Sequence, residues 1–203
     1  MREKLLNFLK FLFFIFLIPV LVATTLSFRL QLQTIEGNFR DALLGGVYLY
    51  LIMHLFFYEP VDFYHFGQGL IAGLCKFSEP LAIVIKYILP FYTLVASLVY
   101  YFVVTLSGAG GIWPYFILAL VGFTMTMHVV LTAHNLHEED AASIKPHYFS
   151  AMSLTYIANM ILLASFLDLI FEKFSLPEFF FSLFDISRVI YSHAWHQLFV
   201  PST

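Results

Sequence analysis

Charge is what this chain has least of. Only 11% of its 203 residues are charged, against about 25% in a soluble domain, while 61% are hydrophobic and the mean hydropathy is +0.85. That is too little charge to cover a water-facing surface. Basic excess is missing too: a net charge of −3 leaves no patch for a nucleic-acid backbone. The single cysteine, Cys75, excludes an internal disulfide and a CxxC metal or redox motif, and it reads as a small apolar packing residue. The sequence holds no P-loop, dinucleotide fingerprint, GxSxG elbow or HEXXH helix. Without them the chain has no motif for nucleotide-dependent, nucleophilic or zinc-hydrolase chemistry, and no catalytic residue is assigned.

What the chain does have is long apolar runs, with 25 phenylalanines and 12 tyrosines. Sparse charge and long runs together read as an all-α integral membrane protein. The expected architecture is a bundle of about five transmembrane helices followed by a C-terminal amphipathic helix. Residues 1–174 would form the polytopic domain, and 175–203 an interfacial or partner-docking helix and tail. The spans fall near 5–28, 42–58, 80–106, 112–132 and 148–171. The first resembles a signal peptide in opening on Arg2 and Lys4. Its run from Phe11 to Phe28 is longer than an h-region of about 7–15 residues, and no small-residue cleavage site follows, so it reads as a retained span. A cleaved signal is the alternative. Pro19 and Pro90 should bend the first and third spans, and Ser78 with Pro80 should start the third. Leu30–Gln33 alternates like a short extended segment, and "SGAGG" (107–111) reads as a tight turn. Residues 59–79 are too short and glycine-rich to span. They suit a half-helix at the interface or a re-entrant segment, with Gly69 and Gly73 spaced for close helix contact.

In 175–199, helical spacing puts Glu178, Ser182, Asp185, Arg188, Ser192, His193 and His196 on one side. Phe180, Phe184, Tyr191 and Trp195 fall among the apolar residues opposite. Ser175 is placed to cap this helix and Pro177 sits in its first turn. Such a helix lies in the membrane surface or in a partner's groove. Its polar side is not rich in Lys and Arg, so a protein neighbour suits it at least as well as lipid, with those four aromatics as the docking residues. Arg2, Lys4 and Lys10 favour a cytoplasmic N-terminus in the cytoplasmic (inner) membrane.

The remaining polar residues have a functional and a plain reading each. His134, His137 and Glu138 share one side of a helix at i, i+3 and i+4, a set able to hold a divalent metal; the plain reading is a solvated helix end. His54 and His128 lie near the ends of two spans at one face, as axial ligands of a b-type haem would; otherwise each imidazole bonds a neighbouring helix. Lys86, Asn159 and Asp168 are intramembrane polar residues, functional by default. Lys86 is also shallow enough to snorkel, Asn159 suits a bond to another helix, and Asp168 sits near an interface. Beyond these two sets no cofactor is implied. The function expected is a non-enzymatic membrane subunit that anchors or scaffolds a larger complex, with the bilayer and other subunits as partners. A transporter or channel component, and a haem- or metal-binding redox subunit, are the alternatives.

Overall fold

The computed structural model describes residues 2–57, 60–75, 85–139 and 146–199. Among them it forms α1 (Arg2–Leu32), α2 (Gly37–Phe56), α3 (Val61–Leu74), α4 (Phe91–Tyr100), α5 (Trp113–Glu139), α6 (Pro146–Ile170) and α7 (Leu176–Phe199), with no strand. Four helical stretches are long and apolar enough to cross a membrane: Phe8–Leu32, Gly37–Phe56, Trp113–His137 and Tyr148–Ile170. The shortest has 20 residues, about 30 Å at 1.5 Å per residue, which matches a hydrocarbon core.

Several expectations are corrected. Leu30–Leu32 end α1 as helix rather than forming an extended segment, because Phe28, Leu32 and Ile35 recur at helical spacing and are buried. The second span begins at Gly37 rather than 42. The third is not one continuous helix. It is broken at Leu89 and Pro90, since proline has no amide hydrogen and disfavours helical geometry in the residue before it. Its expected start at Ser78 and Pro80 lies outside the described residues. After α4 the chain widens into a π-helical turn, Tyr101–Leu106, and then reverses where Gly108 and Gly111 take φ of 67° and 70°.

The chain forms two compact units, residues 1–34 with 140–203, and residues 35–139. The expected division at 174 falls inside the first of these. In that unit α1 packs against both α6 and α7. Near its start, Phe14 stacks on Phe149 at 4.9 Å and Ser150 Oγ donates to the Lys10 carbonyl at 3.1 Å. Further along, Thr25 meets the Tyr156 hydroxyl at 2.9 Å, so α1 and α6 run the same way. α7 returns antiparallel. Thr34 Oγ1 donates to the Lys173 carbonyl at 2.8 Å, the Ser175 amide donates to Gln31 Oε1 at 3.2 Å, and the Tyr191 hydroxyl donates to the Phe16 carbonyl. Those pairs keep register: each step along α7 is one step back along α1. Ser175 caps α7 as expected, its Oγ accepting from the Glu178 amide at 3.3 Å. Asp168 adds a second cap, its Oδ1 accepting from the Leu176 amide at 2.8 Å.

In the second unit α2 and α5 run parallel, with Phe39 stacked on Tyr115 at 5.0 Å and Tyr50 edge-on to Phe123 at 5.2 Å. Their backbones touch. A Cβ added to Gly46 would lie 1.8 Å from the Ala119 carbonyl oxygen, and one on Gly122 would lie 2.1 Å from that of Leu43. Small residues permit such approach where no hydrophobic drive pulls helices together. The GxxxG pair singled out from sequence does nothing comparable, since nothing lies within 4 Å of a Cβ at Gly69 or Gly73. α3 has 14 residues, about 21 Å, and buries Tyr64, Gly67, Gln68 and Ile71 on one face against α4 and α5.

Gly46→Ala or Gly122→Ala must push α2 off α5, since the atoms in the way are backbone. Each should cost about 1–3 kcal/mol, read as a lower midpoint of thermal unfolding in detergent. Gly69→Ala has open space and should leave the midpoint unchanged or raise it.

Candidate functional site

Pro90 creates the polar centre of the second unit. The Lys86 carbonyl, four residues earlier, has no Pro90 amide to accept from, and the break at Leu89 frees the Tyr87 carbonyl next to it. Two side chains from other helices meet these oxygens. Gln68 on α3 donates through Nε2 to Lys86 O at 3.4 Å. His128 on α5 places Nε2 3.0 Å from Tyr87 O, and because a carbonyl only accepts, Nε2 carries the proton.

The bonds continue inward. Gln68 Nε2 also donates to the Tyr64 hydroxyl, and that hydroxyl lies 2.7 Å from Thr132 Oγ1. Gln68 gives to Tyr64, and the Tyr64 and Thr132 hydroxyls share a hydrogen bond in which either can donate. Tyr64, His128 and Thr132 are all buried, packed beside Tyr50, Met127 and Leu131. The cavity between Gln68, Tyr92, Thr124 and His128 measures about 10 Å³, room for roughly one water molecule. Gly67 lets α3 settle against Tyr92, whose ring would come within 2.7 Å of an added Cβ. Tyr92 then donates to the Phe63 carbonyl at 2.6 Å and stacks on the Phe63 ring at 3.9 Å. The arrangement braces a broken helix with neutral donors around a water-sized cavity, without paired carboxylates or an exposed nucleophile among these residues.

Of the residues singled out from sequence, His128 is the one whose side chain this centre uses. His54 stacks on Tyr50 at 5.9 Å. His134 and His137 are exposed on α5, and the side chain of Glu138 lies outside the described residues. Among the described residues no three His, Cys, Asp or Glu side chains gather closely enough for a metal. Lys86 contributes its carbonyl, and its ammonium lies 4.4 Å from the ring of Tyr87. Asn159 is fully buried and donates through Nδ2 to the Thr155 carbonyl of its own helix at 2.8 Å. Asp168 caps α7. Gln68, Tyr64 and Thr132 were missed. A signal was present, since Tyr64 and Gln68 are four apart on one helical face, but nothing in the sequence pairs them with residues 86, 87 or 132.

The second candidate is the outer face of α7. Phe179, Leu183, Ile186 and Ile190 turn toward α1, buried or half-buried at alternating spacings of four and three. Directly opposite, Phe181, Asp185, Arg188, Ser192, Trp195 and Phe199 repeat the same spacing and are all exposed. Of the four expected docking aromatics, Tyr191 is held against Phe16 at 5.0 Å, while Phe180, Phe184 and Trp195 are exposed. Among the described residues Asp185 and Arg188 form no ion pair; the pair that does form joins Arg40 to Asp41 at 3.4 Å.

His128→Leu strands a buried carbonyl and should lower stability by about 1–3 kcal/mol. Tyr64→Phe breaks the relay at its middle and should cost a similar amount. Because both belong to one network, the double variant should lose clearly less than the sum of the two, measured by thermal unfolding of the purified protein. Comparison of the chain with protein-family models, with characterised proteins and with solved structures finds no match.

Proposed function

We propose that this chain is a non-catalytic membrane subunit of six crossings whose α7 grips another membrane-embedded protein. The observation that carries it is the level of Asp185 and Arg188. In the antiparallel register of α7 on α1, Asp185 lies level with Leu21 and Val22, and Arg188 with Ile18 and Pro19. Those positions are near the middle of the Phe8–Leu32 crossing segment. A helix aligned with a crossing helix over that length crosses too, which argues against a surface-lying α7. A charge at mid-bilayer costs about 2.5–3.5 kcal/mol on insertion scales, and charged side chains there almost always face protein or a water-filled cavity. Two exposed charges at that depth therefore call for a protein neighbour.

The crossing count has its own support. α2 and α5 run parallel, so the chain between them must return across the membrane. The stretch from Ile85 through Leu106 is antiparallel to α5, with Tyr87 beside His128 and Tyr100 near Tyr115. Its apolar helical part, Phe91–Leu106, is short of a full span, and the turn before Pro90 lengthens it. Counted with α1, α2, α5, α6 and α7, this return stretch supports the reading of six crossings.

In a Cys75→Ser background, cysteines at Lys173 and Gln197 should react with an impermeant maleimide from opposite sides of the membrane. A surface-lying α7 would label both from one side. Asp185→Leu with Arg188→Leu should leave the protein inserted while releasing what co-purifies with it in mild detergent; retention of every co-purifying protein would remove α7 from assembly.

A transporter reading draws on the Pro90 break, because broken helices whose freed carbonyls meet polar side chains recur at transport sites. If the Gln68–Tyr64–Thr132 relay lines a path, Tyr64→Phe should abolish flux of a permeant ion into liposomes at unchanged protein level. Unchanged flux leaves the relay a structural brace.

A further inference from the structure

We propose that the outer face of α7 pairs with α7 of a second copy of this chain, in parallel, through reciprocal Asp185–Arg188 contacts. The inference rests on the reading of α7 as a crossing helix with an assembly face, and names the partner. Two copies inserted the same way are related by a twofold axis along the membrane normal, so their α7 helices run parallel. The exposed line Phe181, Asp185, Arg188, Ser192, Trp195 and Phe199 keeps the four-three alternation of a parallel helix pair along its whole length.

The charges fit a second copy. Asp185 and Arg188 are one turn apart on one face with opposite signs, so the face as a whole is neutral and complementary to itself. Helical side chains lean toward the N-terminus. The Arg188 side chain therefore reaches back over the roughly 4.5 Å that separate the two residues along the axis, to the level of Asp185 on the facing helix. Symmetry makes two such contacts, which leaves neither carboxylate nor guanidinium in lipid. Ser192 follows one turn later and is small enough for the backbones to close. Phe181 lies at one end of this polar middle, Trp195 and Phe199 at the other. A partner of another kind would have to bring its own matched acid and base at the same depth, whereas a second copy carries them already.

The test co-expresses two differently tagged full-length chains and purifies through one tag in mild detergent. Wild-type chains should capture each other. Asp185→Arg alone and Arg188→Asp alone should each lose that capture at least ten-fold, since every copy then presents two like charges. A mixture of the two variants should restore it, because each supplies what the other lacks. Disulfide trapping in membranes checks the face without altering charge: in a Cys75→Ser background, Ser192→Cys should cross-link copies and Leu183→Cys, which faces α1, should not. Wild-type tags that never co-purify, or single variants that pair like wild type, overturn the pairing. If that happens while a different protein is held by wild type and released by Asp185→Leu with Arg188→Leu, the subunit reading stands and self-pairing falls. If nothing is held, both fall.

Discussion

Pro19 and Pro90 each remove an amide hydrogen from apolar helical chain, and in a bilayer water is not there to replace it. Near each proline a side chain from another helix donates to a backbone carbonyl three residues back, the Tyr191 hydroxyl to Phe16 and His128 Nε2 to Tyr87. At Pro90, Gln68 also covers the carbonyl that the missing amide leaves without its helical donor, that of Lys86. Each contact ties a proline-bearing stretch to a neighbour, and much of each unit's arrangement follows from where that donor must stand. For Tyr191 to reach Phe16, α7 must lie along α1 for most of its length. For His128 to reach Tyr87, α5 must pass the break with its C-terminal half toward α3.

Association between membrane helices lacks the hydrophobic drive of water, so close packing and polar contacts carry it. The second unit uses both. Gly46 and Gly122 bring the α2 and α5 backbones together, which holds α5 steady as the element against which α3 and α4 pack. The relay from Gln68 through Tyr64 to Thr132 joins α3 to α5 at the same level as the His128 contact. Bracing the break costs the unit a buried polar network, in which Gln68 and His128 meet the carbonyls of Lys86 and Tyr87.

The long apolar runs made the membrane helices legible, and local chemistry made the Ser175 cap legible. Both are signals written within a few residues of each other. Pro90 was legible as a disturbance but not as a break, because whether a proline bends or interrupts a helix depends on the donors available to it. Those donors, Gln68 and His128, lie 22 residues before and 38 after Pro90 in sequence. The glycine contact failed in sequence for a related reason. Gly69 and Gly73 carry the familiar spacing within one helix, yet the contact that forms is between single glycines of two helices, and one chain's sequence does not mark such pairs. Asp168 and Asn159 show the same limit, since an acid near a helix end and an amide in mid-helix look alike until their neighbours are known.

Amphipathic sorting of α7 separated its polar and apolar sides and assigned docking to Phe180, Phe184, Tyr191 and Trp195 of the apolar one. In water the exposed aromatics would be the adhesive ones. In a bilayer Phe181, Phe184 and Trp195 are at ease against lipid tails, and their exposure carries no demand for a partner. On the proposed crossing of α7, Asp185 and Arg188 would carry one, because the cost of leaving them in hydrocarbon is far larger than anything the aromatics gain by contact. Depth decides the matter, and depth comes from the register of α7 on α1, fixed at one end by Ser175 on Gln31 and toward the other by Tyr191 on Phe16. A tyrosine that reads in sequence as part of a docking surface therefore holds α7 on α1, about a quarter turn around the helix from the proposed face.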